Sequence, residues 1–322
     1  MTSVTINQFA DVILYRSFMI YKYSWKRLLI VGIVFCFLLN IFSMPFQKYH
    51  KYGYQFEEIQ SKTKLVNEQK TSIDCVFLGD SQGWSTYSPI QMYKEHGFTA
   101  LNLCTPGQFM YDTYVLLKNT YKKQKPKLVV IDANMMFSFL NPLKFILLKN
   151  FPIFHYHNID TNKISEEYFA RKGFNEYEGV VGYTGSLDYM ESGERNTLSK
   201  QAMQYLDKIN QLCKENESQM LLVNTVSPLV WSNVRHEIIQ KWCADNNVNY
   251  VDYNTSEQLE TIDFDFNNDF RDGGDHVNLN GSRKICENLG NYIKQNYALE
   301  DHRKDSSYHE WNTLAQDASE YD

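Results

Sequence analysis

The stretch Val76-Phe77-Leu78-Gly79-Asp80-Ser81 joins an apolar run to a polar turn, and this junction decides the fold. The four residues from Cys75 to Leu78 are all apolar, which predicts a central strand of a parallel sheet. Gly79 permits a sharp turn after the strand, and Ser81 follows two residues later. Because ligands of open α/β sheets bind just beyond the carboxyl ends of the strands, we expect Ser81 to lie at a binding or catalytic site.

Strand-like runs alternate with helical patterns along most of the chain. The predicted strands are Asp74–Leu78, Ala100–Leu103, Leu128–Ile131, Met220–Thr225 and Asn249–Tyr253. Apolar residues at helical spacing predict helices within 111–123, 198–212 and 285–293. This alternation predicts an α/β fold with a parallel sheet covered by helices on both faces.

His276, 195 residues after Ser81, is the candidate partner of that serine. It ends the run 271–276 (RDGGDH), just before a predicted helix. A serine nucleophile needs a base to take its proton, and the base needs a carboxylate to orient it. Asp272 is the favoured carboxylate and Asp275 the alternative. Taken alone, His276 is more typical of a solvated histidine in a helix-capping loop, and its pairing with Ser81 favours the catalytic interpretation.

Four short blocks of the chain resemble those of the SGNH (GDSL-type) hydrolases, in the family's order, over roughly residues 70–297. Residues 79–81 (GDS) resemble the first block and residues 272–276 the last. Residues 102–108 (NLCTPGQ) resemble the second block, and residues 129–134 (VVIDAN) resemble the third. The step from the aspartate to the histidine in the last block is one residue longer than is usual in that family.

The resemblance implies a fold class and a set of site residues. The fold would be the SGNH-hydrolase-like (flavodoxin-like) three-layer sandwich with a parallel sheet. Ser81 would attack an acyl carbonyl after His276 removes its proton, forming an acyl-serine. The oxyanion would lie among the Ser81 N–H, the Gly107 N–H and the Asn134 side-chain amide. The chemistry would need no cofactor and no metal ion.

The run Leu28 to Phe46 contains no charged residue and is long enough to cross a bilayer as a helix. Four basic residues precede it and favour a cytoplasmic N-terminus: Arg16, Lys22, Lys26 and Arg27. Lys48 and Lys51 on the other side weaken that asymmetry. We therefore expect a single-pass anchor in the cell membrane, with the main domain extracytoplasmic.

The predicted organisation follows from these patterns. The parts are a cytoplasmic N-terminus (1–27), a transmembrane anchor (28–46), a helical stalk (47–70), an SGNH-like catalytic domain (71–298) with an insertion at about 145–195, and a mobile acidic tail (299–322). The insertion is rich in aromatic residues and glycines, and long insertions between strands commonly shape a substrate groove.

Composition excludes several function classes. The net charge of −6, with no basic cluster beyond the membrane flank, argues against nucleic-acid binding. The six cysteines form no C-x-x-C pair, and His155 and His157 have no Cys or carboxylate cluster beside them, so a metal site is not expected. Scattered apolar cysteines predict buried thiols, which is the strongest sequence argument against an oxidising compartment.

Anchored proteins that resemble this chain often act on cell-envelope polymers beside a polytopic membrane-bound O-acyltransferase, and the layout is similar to that of the D-alanyl transfer protein of teichoic-acid modification. We therefore expect an O-acyltransferase or esterase that takes an acylated donor and acts on an extracytoplasmic polysaccharide or glycopolymer. Two alternatives stay open: a non-catalytic SGNH-like module that binds glycan or scaffolds an assembly system, and a cytoplasm-facing esterase.

Overall fold

The computed structural model describes residues 25–46, 56–138, 143, 146–147, 150–154, 170–191 and 198–318. Contacts divide the chain into two compact units. One is drawn from residues 1–50 and 143–159, and it includes a long apolar helix. The other is drawn from residues 51–142 and 160–322, and it contains the sheet.

Within the described residues the sheet has five parallel strands in the order β2-β1-β3-β4-β5. Their bounds are β1 (Cys75–Leu78), β2 (Ala100–Asn102), β3 (Leu128–Asp132), β4 (Gln219–Asn224) and β5 (Asn249–Asp252). Cys75 pairs with Ala100 on one side and with Leu128 on the other. Strands β2 and β3 therefore lie on opposite sides of β1, so the end of β1 is a topological switch point, where ligands bind in such sheets. The predicted α/β fold class and its five strands are confirmed.

Helices of the second unit cover both faces of this sheet. Beginning with α1 in the first unit, the helices are α1 (Trp25–Phe46), α2 (Phe56–Glu68), α3 (Ser81–Thr86), α4 (Pro89–His96), α5 (Met110–Thr120), α6 (Lys200–Glu215), α7 (Asn233–Asn246), α8 (Ser256–Thr261), α9 (Leu279–Asn296) and α10 (His309–Asp317). Phe77 of β1 shares one apolar cluster with Ile285 and Leu289 of α9. The alternate residues Val76 and Leu78 are equally buried, which places them on the opposite face. Because α4 packs with α9 while α5 packs with α6, the fold has three layers.

Helix α1 is long and apolar enough to cross a membrane by length and composition. Its most apolar 18-residue segment has a mean hydropathy of 2.4, and only 6% of that segment is buried. Large side chains along it are exposed, among them Leu29 and Phe37. This exposure argues against a buried core helix, the alternative that its sequence alone allows.

Residues 56–68 are helical as expected, but they are not a free stalk. Ile59, Leu65 and Val66 of α2 are fully buried against the domain. The Lys62 ammonium, only 1% exposed, donates to the carbonyls of Asn102 (2.7 Å) and Gly173 (2.8 Å). The prediction of a stalk is therefore wrong for this helix, whose apolar face joins it to the domain; residues 47–55 lie outside the described part.

The prediction of a mobile tail from residue 299 is also wrong for the residues described, which end at 318. Trp311 of α10 is buried and packs on Tyr93, with ring centroids 5.2 Å apart. His302 is buried as well, where it hydrogen-bonds Asp74 (2.8 Å) and stacks on Tyr308. A few aromatic residues thus hold a segment whose overall composition is polar.

The described part of the predicted insertion, residues 170–191, runs beside the loop that carries His276. The backbone N–H of Val181 donates to the Phe270 carbonyl (2.9 Å), and the N–H of Gly273 donates to the Val181 carbonyl (2.9 Å). The insertion therefore borders the predicted site, as expected for a groove-forming segment. His155 and His157 lie outside the described residues.

Lys62 makes stability depend on pH. Burial lowers the pKa of Lys62 to about 7, against 10.5 for an ordinary lysine. Between these values residue 62 binds more protons in the unfolded chain than in the folded chain, so the contribution of Lys62 to stability should rise with pH by up to about 1.4 kcal/mol per pH unit. Burial raises the pKa of the cysteine thiols, and their contribution falls with pH in the upper part of the same window, so the Lys62 effect is measured as a difference between two proteins. In denaturant unfolding of the detergent-solubilised full chain, we expect the stability of wild type relative to Lys62→Met to rise with pH.

Lys64→Met is the matched control, because Lys64 lies on the same helix with its side chain 55% exposed. It should keep the wild-type slope between about pH 7 and pH 10. If the free energy of unfolding changes equally with pH in wild type and Lys62→Met, Lys62 does not contribute to the pH dependence of stability.

Candidate active site

Ser81 is held at the carboxyl end of β1 by a tight turn. A Cβ atom at Gly79 would lie 2.5 Å from the Cβ of Asp132, so the neighbouring strand β3 demands glycine at this position. Asp80 is the N-cap of α3, and its Oδ1 accepts from the Gln82 N–H (3.0 Å). Ser81 is thus the first residue of a helix, with its hydroxyl at the switch point of the sheet.

His276 is brought to Ser81 by the loop between residues 269 and 278. The Arg271 N–H donates to the His276 carbonyl (3.1 Å), and the Asn278 N–H donates to the Asp269 carbonyl (2.9 Å). Asn278 is also the N-cap of α9, since its side chain accepts from the Gly281 N–H. Asn280 is the second residue of this helix and does not cap it.

The three predicted triad residues form one chain of hydrogen bonds. His276 Nε2 lies 2.7 Å from Ser81 Oγ, and His276 Nδ1 lies 2.6 Å from Asp272 Oδ2. The other oxygen of Asp272 accepts from the His276 backbone N–H at 2.8 Å. With Asp272 accepting from Nδ1, the lone pair of Nε2 faces the serine hydroxyl, which is the order a base-activated serine needs.

Asp275 is a second carboxylate beside the histidine. Its Oδ2 lies 3.4 Å from His276 Nδ1, farther than that of Asp272, and its Oδ1 accepts from Gln82 Nε2 (3.3 Å). Gln82 in turn donates to the Ser227 hydroxyl (2.7 Å). Geometry therefore favours Asp272 as the orienting carboxylate, while Asp275 links the loop to α3.

Asn134 lies next to the serine turn, as the third-block resemblance implies. Its Nδ2 donates to Asp80 Oδ2 (3.0 Å), and its Oδ1 accepts from Arg235 (3.3 Å). An asparagine amide carries two protons, so one remains for a substrate oxygen after the bond to Asp80. The contacts on both sides fix the orientation of this amide.

Gly107 lies in the loop that follows β2. The Thr105 N–H donates to the Gly79 carbonyl (3.1 Å), which attaches this loop to the serine turn. Gly107 adopts a φ of +64°, a conformation that favours glycine. Among the described residues its N–H has no recorded acceptor, so it is available for an oxyanion.

A buried acidic residue that the sequence analysis missed supports this arrangement. Asp132 ends β3, is fully buried, and accepts from the Asn134 N–H (3.0 Å) and the Tyr87 hydroxyl (3.0 Å). Burial, and then the nearby Asp80 carboxylate, raise the pKa of Asp132 well above its usual range. Burial also raises the pKa of Asp80. The one available signal in the sequence is an acidic residue at the end of an apolar strand.

Cys104 is the other nucleophilic side chain next to the serine turn. Burial raises its thiol pKa well above the usual value, as do the nearby carboxylates. A protonated, fully buried thiol is a poor nucleophile. Ser81 is therefore the nucleophile that this site offers.

Asp272, Asp275 and His276 are close enough to one another to share a metal ion, since their ligand atoms lie within 4.8 Å. Both imidazole nitrogens are already engaged, Nδ1 by Asp272 and Nε2 by Ser81. The donor set fits proton transfer better than it fits a metal, since metal binding would require a histidine nitrogen to give up its partner.

An apolar surface borders the histidine loop. The side chains of Val181 and Leu229 are 54% and 57% exposed. Both residues lie beside the loop, since the Gly273 N–H donates to the Val181 carbonyl and the Leu229 N–H donates to the Gly274 carbonyl. Tyr177 lies under the Arg271 guanidinium, 3.7 Å from ring centroid to Cζ. These side chains offer a partly apolar lining next to the triad.

Neither a family profile nor a curated protein matches this chain. Several solved structures are similar to it. They include a GDSL-like lipase from Bacteroides thetaiotaomicron (13% identity, 80% of this chain and 100% of that chain, TM-score 0.38), the lipase/acylhydrolase from Enterococcus faecalis (15%, 71% and 98%, 0.37) and a Geobacillus acetyl-xylooligosaccharide esterase (11%, 71% and 97%, 0.40). At these values the likeness assigns no activity to this chain, and the chemistry of the site is argued from its own geometry.

The two carboxylates should differ in their effect on ester hydrolysis. Asp272→Asn presents an amide to His276 Nδ1 and favours the wrong tautomer, so we expect kcat for p-nitrophenyl acetate to fall by up to about 10⁴-fold. Asp275→Asn keeps that hydrogen bond and should cost less than about tenfold. The reverse ranking would identify Asp275 as the orienting carboxylate.

Asn134 is expected to act on the transition state. Asn134→Ala removes one oxyanion donor, which should lower kcat by about 10²–10³ with little change in KM. Asn280→Ala is the control, because it removes an exposed carboxamide close to the loop that carries His276. Similar losses in both variants would argue against an oxyanion role for Asn134.

Proposed function

We propose that this protein is a serine-dependent O-acyltransferase or esterase that works through an acyl-serine intermediate. The observation that carries the proposal is the hydrogen-bonded chain from Asp272 through His276 to Ser81, with bonds of 2.6 and 2.7 Å. Its members come from two loops at the carboxyl edge of the sheet, 195 residues apart. Ligands of open α/β sheets bind at such a switch point, and a serine, a histidine and a carboxylate bonded in this order have the arrangement of a catalytic triad.

In the first half-reaction Ser81 Oγ attacks the acyl carbonyl while His276 Nε2 takes the hydroxyl proton. Asp272 stabilises the resulting imidazolium. The oxyanion is bound by the Ser81 N–H, the Gly107 N–H and the Asn134 amide. When the tetrahedral intermediate collapses, His276 returns the proton to the leaving group and the acyl group stays on Ser81.

In the second half-reaction an acceptor hydroxyl attacks the acyl-serine. His276 takes the acceptor's proton, the ester bond to Ser81 breaks, and the proton returns to Ser81 Oγ. Water as acceptor gives hydrolysis, and a sugar hydroxyl gives transfer. The partly exposed apolar lining of Val181 and Leu229 supports binding of the acyl portion of the donor.

The proposed substrate is an extracytoplasmic cell-envelope polysaccharide or glycopolymer. Helix α1 supports a membrane anchor by its length, its mean hydropathy and its exposed side chains. The basic residues that precede the uncharged run from Leu28 to Phe46 favour a cytoplasmic N-terminus and an exported domain. In this arrangement, similar to the layout of the D-alanyl transfer protein, a polytopic membrane-bound O-acyltransferase would supply the acyl group. The buried cysteines of the domain are compatible with export, since their thiols are shielded.

The test combines a chemical and a genetic experiment on Ser81. We expect a serine-directed fluorophosphonate to label the full-length protein and to leave Ser81→Ala unlabelled, because the hydroxyl is the reacting group. In the native host, we expect a null strain to lose envelope O-acylation and Ser81→Ala to reproduce that loss. Ser307→Ala, an exposed serine in the C-terminal segment, is the matched control.

Each outcome separates the hypotheses. If wild type is labelled but the null strain has no acylation defect, the envelope role is contradicted and serine esterase activity is still supported. An acylation defect in the null strain that Ser81→Ala fully rescues, with no fluorophosphonate labelling, would contradict catalysis and favour a glycan-binding or scaffolding module.

A further inference from the structure

A polar cavity lies at the β5 edge of the sheet, among α7, α8 and α9. We call it the β5 cavity, and its volume is about 380 Å³. Five carboxamide side chains line it: Gln240, Gln258, Asn288, Asn291 and Gln295. A cavity of this size is at the small end of the range for small-molecule sites, which suits one or two sugar rings. It shares no residue with the triad or the oxyanion donors.

One histidine of the β5 cavity is rigidly oriented. His236 Nδ1 lies 2.7 Å from Asp252 Oδ2, and the same oxygen accepts from Trp231 Nε1 (2.8 Å) and the Tyr250 hydroxyl (3.0 Å). The other oxygen of Asp252 accepts two bonds from Asn254. With five donors, this buried carboxylate has no need of a ligand. Because Nδ1 bonds Asp252, Nε2 is the His236 nitrogen that can hydrogen-bond a ligand in the cavity.

The charge pattern of the lining selects the class of ligand. Among the described residues that line the β5 cavity, none is Lys or Arg, so an anionic ligand would find no fixed cation. The one carboxylate, Asp252, is already satisfied, so a cation finds no free charge either. Carboxamides with two tyrosines, Tyr250 and Tyr292, present paired donors and acceptors, which match the hydroxyl groups of a neutral sugar.

One acceptor of the lining is left unsatisfied. Gln258 Oε1 is buried and has no hydrogen-bond partner among the described residues. A buried polar atom without a partner costs free energy, and a ligand hydroxyl would recover it once the Gln258 side chain turns toward the β5 cavity.

Helix α9 links the two sites. His276 precedes the first residue of α9 by three positions, and Asn291 lies twelve residues into the helix, roughly 18 Å along its axis. We propose that the β5 cavity binds a neutral segment of the glycan acceptor at a distance from the reacting hydroxyl. This inference rests on the proposed function and adds to it a neutral, polymeric acceptor that the enzyme holds at two points.

The experiment measures binding rather than turnover. Full-length protein in lipid nanodiscs is titrated calorimetrically with cellotetraose and chitotetraose, neutral oligosaccharides that carry no ester, and with tetragalacturonate as an anionic counterpart. We expect a neutral oligosaccharide to bind and tetragalacturonate not to bind. The double variant Asn291→Ala/Gln295→Ala should weaken the neutral oligosaccharide by at least about tenfold, as expected for two lost hydrogen bonds.

Asn291 and Gln295 are both exposed on α9, so their loss should not affect folding. Asn296→Ala on the same helix, outside the cavity lining, is the matched control and should bind as wild type does. Absence of binding by both neutral probes, equal binding of tetragalacturonate, or unchanged binding in the double variant would overturn the proposal. Because the readout does not depend on Ser81, failure of the acyl-serine chemistry is seen separately, by fluorophosphonate labelling.

Discussion

The close approach of β1 and β3 at Gly79 is the constraint on which the site depends. With no room for a Cβ at residue 79, the chain turns directly over Asp132 at the end of the neighbouring strand. The buried Asp132 then holds the backbone of Asn134, and Asp80 holds its side chain. One backbone contact therefore positions the Ser81 turn and the asparagine beside it. In the proposed reaction this is preorganisation by packing, because the proposed oxyanion donors would already be oriented when charge develops.

The histidine reaches this turn because its loop is held at several points. Backbone bonds join the loop to the described part of the insertion and close it on itself, and Asn278 caps the helix that follows. The three residues between Asp272 and His276 bring their side chains together at 2.6 Å. The Asp272 carboxylate also accepts from the His276 backbone N–H, so Asp272 both orients the ring and closes the loop.

Periodicity predicted the strands well because their residues are buried on both faces and form continuous apolar runs. The predictions of a free stalk and of a mobile tail were wrong for α2 and for the described C-terminal segment. Both rested on average composition, which hides the few apolar residues that pack on the domain. Ile59 and Leu65 make α2 part of the domain, and Trp311 does the same for α10. The β5 cavity was not predicted either: its carboxamides are spread over three helices, and no local pattern marks residues that only tertiary packing brings together.

Local patterns and short sequence blocks were enough to predict the parallel α/β fold, the apolar N-terminal helix and four candidate site residues: Ser81, His276, Gly107 and Asn134. The folded chain was needed to show that Asp272 lies nearer than Asp275 to the histidine, that Asp132 supports the asparagine, and that a polar cavity lies at the β5 edge. Hydrogen-bond distances and burial depend on the packing of segments distant in sequence, and the spacing of residues along the chain does not specify that packing.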